Sequence, residues 1–179
     1  MTFFLVFVSI LQSIGISLGV GASTLAIANF FAAIADGEID DTERRMMGIV
    51  YIVLRVAMVT ILVTTIFLLA SEYSVTGLLN MSAFSYAALL TIFVLFTNAM
   101  LMTAHLIPST FGPAIQAGNW YTLGILSALQ SIGLTDFTLT HFLMGYVTWL
   151  ILAIGIVNGM MALMKGIWAK RKSEAEAPH

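Results

Sequence analysis

A single arginine, Arg55, interrupts the apolar run MMGIVYIVLRVAMVTILV. Its guanidinium stays charged and offers several N–H donors in a fixed fork. At mid-bilayer it costs at least ~2.5–3.5 kcal/mol on insertion scales, so it calls for a compensating partner. Counted from the nearest helix-breaking segments at ~1.5 Å per residue, Arg55 lies ~13 Å from one membrane boundary, and Asn29, Asn98 and Asn158 lie ~10 Å from the same one. Tyr51 precedes Arg55 by one turn and can stack on the guanidinium. His105 continues a Thr91, Asn98, His105 series toward that boundary. Arg55, Asn29, Asn98, Asn158, Tyr51 and His105 thus form a candidate ligand-binding layer for an anionic or polar small molecule, with Arg55 as the charge and the asparagines as neutral donors. The competing reading is a structural network, in which Arg55 bonds to asparagine carbonyls and helix backbone. That is the commoner fate of buried polar groups.

The remaining chemistry is sparse. A haem held by two histidines needs both imidazoles at one depth on facing helices. His105 and His141 fall near opposite boundaries, and His179 is in the tail. Haem therefore enters only as a secondary expectation, with one histidine ligand and Arg55 on a propionate. The chain has no cysteine, which excludes disulfides, thiolate metal sites and a cysteine nucleophile. HExxH, GxSxG and a Walker loop are missing. No acid lies inside an apolar span, where cation pumps place carboxylates. Net charge is −2, and the longest basic run is Lys170, Arg171, Lys172, too short a footprint for nucleic acid. No catalytic or metal-ligating residue is assigned.

The elements that must position these residues follow from composition. The chain of 179 residues is 60% hydrophobic and 9% charged, where a soluble domain carries about 25% charged residues. Such a chain belongs in a bilayer, whose ~30 Å hydrocarbon layer takes a helix of roughly 20 apolar residues. Five stretches qualify: 2–35, 46–71, 82–106, 113–133 and 137–168. The first lacks the basic start of a signal peptide and reads as a retained helix. Gly15, Gly19 and Gly21 make a bend in it plausible. SEYSVTGLLN, LIPSTFGP and IGLTDFT separate the later spans. Pro108, Gly112 and Pro113 stop the third, Gly133 caps the fourth, and Thr135 or Asp136 starts the fifth.

The first break, ADGEIDDTERRMM, gathers Asp36, Glu38, Asp40, Asp41, Glu43, Arg44 and Arg45 in a chain otherwise poor in charge. Gly37 suits the end of the first helix. Asp40-x-x-Glu43 has the spacing of a capping box for the second, with its acids at the positive helix end. The same residues echo half of a calcium-binding loop, but Ala32 and Ile34 stand where side-chain oxygens are required.

Arg44, Arg45, Lys165, Lys170, Arg171 and Lys172 fall on one side of a five-span chain. The positive-inside rule then places the N-terminus outside and the C-terminus in the cytoplasm. Trp168 and Tyr73 suit the two interfacial belts. The sequence thus reads as an all-α polytopic bundle of five transmembrane helices in the cell (inner) membrane. It has one domain over 1–169 and a polar cytoplasmic tail over 170–179.

Small and polar stripes run along the helices. One is Gln12, Gly15, Gly19, Ala22, Ala26, Asn29 on the first, and another is His141, Gly145, Thr148, Gly155, Gly159, Ala162, Gly166 on the fifth. GxxxG at Gly15–Gly19 and Gly155–Gly159 lets backbones approach closely. It offers a face for a membrane partner or a second copy. The reading is a small membrane protein that binds or transports an anionic or polar small molecule around Arg55. The alternatives are a haem- or quinone-binding redox subunit and an assembly subunit of a membrane complex.

Overall fold

The computed structural model describes residues 2–36, 40–77, 80–108 and 111–175, with side chains described except at 2, 32–36 and 171–175. The Gly37 cap and His179 lie outside the described residues. Five helices form: α1 (Thr2–Asp36), α2 (Asp41–Thr76), α3 (Ala83–Thr103), α4 (Gly112–Ser131) and α5 (Leu139–Ala175).

Local chemistry sets their ends. The Asp40 carboxylate accepts from the Glu43 N–H at 2.6 Å, and the Glu43 side chain accepts from the Asp40 N–H at 3.2 Å. This is the capping box expected from the sequence. The Ser82 hydroxyl caps α3 by accepting from the Ser85 N–H at 3.2 Å. α3 and α4 end alike: Leu106 N–H reaches Leu101 O and Leu134 N–H reaches Leu129 O, both at 2.9 Å. This pattern needs a left-handed residue after the cap. In α4 it is Gly133 (φ 76°), and in α3 it is His105 (φ 55°). α5 starts later than Thr135 or Asp136 would place it, because Thr138 Oγ1 accepts from the His141 N–H at 3.2 Å and caps the helix there. α1 is a continuous helix, and α5 runs on through Lys170 to Ala175.

Four helices, all but α4, are long and apolar enough to cross a membrane. Their outward faces are greasy: Ile52, Val59, Phe93 and Ile151 are each more than half exposed, while Thr91, Asn98 and Asn119 are buried. That inversion of the water-soluble pattern is consistent with a membrane protein. Hydroxyls on exposed faces are quenched by their own helix. Ser9, Ser13 and Ser17 each donate to the carbonyl four residues back. α4 is less apolar, but it packs against α1, α3 and α5, which leaves it little lipid to meet.

Glycines decide the close approaches. A Cβ on Gly15 would sit 3.0 Å from Thr60 Cγ2 of α2, and one on Gly19 only 2.1 Å from the Trp120 ring of α4. Gln12 Nε2 donates to Thr65 Oγ1 at 2.9 Å, and the hydroxyls of Thr24 and Tyr121 share a 2.8 Å bond. On α4, Gln116 Oε1 and Gly112 O accept from Asn98 Nδ2 at 2.9 and 3.0 Å, which fixes α3. Gly118 O accepts from Trp149 Nε1 at 3.0 Å, and Asn119 Oδ1 accepts from the Tyr146 hydroxyl, which fixes α5. Gly15 and Gly19 are therefore used inside the chain and are not free for a partner. Gly155 and Gly159 are exposed, with nothing within 4 Å of either Cβ position.

This contrast is measurable by thermal unfolding in detergent. Gly19→Ala loses about 1–3 kcal/mol by overpacking. Gly155→Ala leaves the monomer unchanged or gains up to about 1 kcal/mol from helix propensity. At the end of α3, His105→Gly relieves the left-handed strain and gains up to about 1 kcal/mol, read as slower hydrogen exchange in the last turn.

Candidate functional site

The structure does not gather the residues read around Arg55. Along α2 the buried residues are Val50, Leu54, Ala57, Ile61, Thr64 and Thr65. Arg55 is one step, ~100° of rotation, beyond Leu54 and turns outward beside exposed Ile52 and Val56. Tyr51 is half exposed and edges a small pocket at the Arg44 end of the bundle. Asn98 is buried and committed to α4. Asn158 donates to Ile154 O of its own helix at 3.0 Å. Asn29 is half-buried on α1, and His105 is exposed beyond the end of α3. Shared depth put these residues in one layer, and helix rotation separates them.

Polar side chains converge instead at the opposite end. α2 and α3 scarcely touch along their length, and this leaves a cavity of about 240 Å³ bounded by α1, α2, α3 and α4. Its polar lining includes Gln12, Thr65, Glu72, Ser85, Ser127 and Gln130, and its floor is Ile16, Ile61, Ile92 and Leu123. Among the described residues, Glu72 is the one charged side chain in the lining.

Glu72 sits in the last turns of α2 and bridges to α3. Its Oε1 accepts from the Ser82 N–H at 2.7 Å, and its Oε2 accepts from the Ser85 hydroxyl. The carboxylate thus acts only as an acceptor, at the positive end of a helix, the environment of an ionised acid. These bonds occupy part of its acceptor capacity. A carboxylate has about four lone-pair sites, so capacity for a further donor remains. Around it the Gln12, Ser127 and Gln130 side chains are neutral, and the Phe84 ring forms part of the wall. The arrangement can hold a small polar molecule and favours a positively charged one.

The sequence reading passed over Glu72 as a marker of a break between spans. No spacing linked it to Ser82 and Ser85, which lie across a turn, or to Gln12 and Gln130, which lie on other helices. The nearest available signal was Gln12, Ser127 and Gln130 on helix faces that otherwise meet lipid or core.

A second, smaller pocket of about 70 Å³ lies at the Arg44 end, lined by Ser23, Phe30, Tyr51, Leu54, Gln116 and Ala117 among others. A third, open groove of about 360 Å³ between α4 and α5 is walled by aromatic rings, Phe142 and Tyr146 stacked at 5.3 Å among them. No protein-family model, curated protein or solved structure matches this chain, so its geometry stands without a relative's function beside it.

Proposed function

We propose that this is a five-span membrane protein that binds a small organic cation, of the alkylammonium class, in the cavity at the Glu72 end. The observation that carries the reading is the lining itself. One carboxylate stands among neutral amides and hydroxyls from four helices, with no cationic side chain among the described residues of the wall. In an apolar bundle, a cavity with a few convergent polar groups is the default place for a ligand site. An ammonium group supplies the N–H donors that the remaining carboxylate lone pairs accept. A ring such as Phe84 also favours a cation near its face.

The five-span arrangement includes α4 as a crossing helix shielded by its neighbours. The positive-inside rule supports an orientation with the Arg44 end in the cytoplasm and the Glu72 cavity on the outside of the cell membrane. Arg55, exposed on the outward face of α2, is then placed to extend its long stem toward the phosphates of the inner leaflet. The anion reading survives there only as a head-group contact.

A second reading rests on α5. Thr148, Gly155, Gly159, Ala162 and Gly166 form an exposed stripe, and none of the three glycines has a neighbour within 4 Å of its Cβ position. Such a face suits a second membrane helix. Because the chain has no cysteine, Gly159→Cys alone reports on it: a disulfide-linked dimer in membranes supports assembly through α5, and a purely monomeric product removes it.

The cation site is tested by titrating the purified protein with methylammonium chloride against sodium chloride. Binding is expected, and Glu72→Gln weakens it by about tenfold, the loss of one charge-assisted hydrogen bond. Glutamine keeps an acceptor for Ser82, so the fold is retained. Absence of binding, or equal binding by both proteins, overturns the reading.

A further inference from the structure

The two axial cavities face each other through the core. On α1, Ile16 floors the Glu72-end cavity and Ser23 lines the Arg44-end pocket. On α2 the corresponding residues are Ile61 and Leu54, and on α4 they are Leu123 and Ala117. Each pair is six or seven residues apart, so three helices independently give a dividing wall roughly 10 Å thick. The wall is built from Ala57, Leu95 and Trp120, all 0% exposed. Trp120 is lodged against Gly19, midway along α1.

This wall and its border contain two buried polar atoms without a partner among the described residues. Trp120 Nε1 is buried without an acceptor, and Asn98 Oδ1 is buried without a donor, among the described residues. Asn98 itself is 3% exposed, and its amide nitrogen is spent on Gly112 and Gln116 of α4. A stranded buried donor or acceptor costs about 1–3 kcal/mol. At position 120 a phenylalanine would keep a ring on Gly19 without that cost, whereas Asn98 also anchors α3 on α4 through its amide nitrogen. The two groups gain partners if a hydrated solute crosses the wall at Trp120. Water or an ammonium N–H donates to Asn98 Oδ1, water accepts from the indole N–H, and the indole face receives the cation.

We propose that the two cavities are the vestibules of one conduit for small organic cations, closed in this structure by the Trp120 indole seated on Gly19. The proposal rests on the cation reading of the Glu72 cavity. It adds passage to binding. Movement of one ring off one glycine opens the wall without unpacking α1 from α2, because Gly15 and Gln12 hold that pair independently of Trp120. Once Trp120 is displaced, the route runs from Glu72, past Asn98, to Gln116 and Ser23. Among the described residues, no basic side chain lines either of the two cavities.

The absence of native cysteine allows a direct test in the full chain reconstituted in liposomes. Single Ser127→Cys, Ala57→Cys, Asn98→Cys and Phe93→Cys proteins are treated with a membrane-impermeant trimethylammonium thiosulfonate, and uptake of radiolabelled methylammonium is measured in parallel. Ser127→Cys, in the outer vestibule, reacts quickly and is protected by methylammonium. Ala57→Cys and Asn98→Cys, in and beside the wall, react more slowly. Phe93→Cys, on the lipid face, does not react. Trp120→Ala raises wall labelling and methylammonium uptake several-fold. Trp120→Phe, which keeps a ring on Gly19, raises them less and covers the case in which the alanine variant fails to fold. Protected Ser127→Cys with unreactive wall positions and no uptake above empty liposomes overturns the conduit while leaving the binding site standing. Unprotected Ser127→Cys overturns both.

Discussion

The close approach of α1 and α4 at Gly19, where the Trp120 ring is seated, is the constraint around which the rest of the bundle is arranged. Lipid tails are as apolar as leucine, so helices in a bilayer gain little from hiding greasy faces from one another. They associate through close packing and hydrogen bonds. A glycine opposite the largest side chain in the chain brings α1 and α4 together at the middle of α1. Each of this pair then recruits neighbours with groups left over. α1 takes α2 through Gly15 and the Gln12–Thr65 bond. α4 takes α3 through Gln116 and Gly112, and α5 through Gly118 and Asn119. The polar character of α4 follows from this position, since its amides and backbone carbonyls are the attachment points for the helices that shield it.

What this scheme leaves undone is as consequential as what it does. Among the described residues, α2 and α3 scarcely touch, because each is held from the other side. Glu72 closes the gap at one end by capping α3 with its carboxylate. The cavity lies next to that bridge. One residue therefore has a structural role, tying two helices that scarcely touch, and supplies the charge of the space they leave.

Much of the fold was legible in the sequence, and the reason is local. Helices begin and end through chemistry within a few residues, so the five segments, the Asp40–Glu43 box and the Gly133 terminus could be read directly. Facing is different. Leu54 is buried and Arg55 is exposed, one residue and ~100° apart. Depth counting cannot see that rotation. Gly15–Gly19 and Gly155–Gly159 are the same motif in sequence, yet one is filled by α2 and α4 and the other faces out. Only the arrangement of the other helices distinguishes them. His105 looked like part of a polar series because its spacing from Asn98 matched. The left-handed turn at the end of α3 carries it out of the helix and away from that face.

The places where local rules and the fold disagree are informative about what the bundle retains. Asn98 and Trp120 hold the bundle with one part of the side chain and strand the other: the Asn98 amide nitrogen bonds α4 and the Trp120 ring fills Gly19, while Asn98 Oδ1 and Trp120 Nε1 have no partner among the described residues. A core packed for stability alone would also fill a cavity of about 240 Å³ rather than line it with amides. Both departures lie within the part of the bundle enclosed by α1, α2, α3 and α4, where the Gln12–Thr65 pair that joins α1 to α2 also lines the cavity. Sequences conflict with their folds mainly where function demands it. By that criterion the conflicts favour the proposed site between Glu72 and Asn98 over the outward-facing Arg55, whose exposed position on α2 conflicts with no packing rule of a bundle with apolar outer faces.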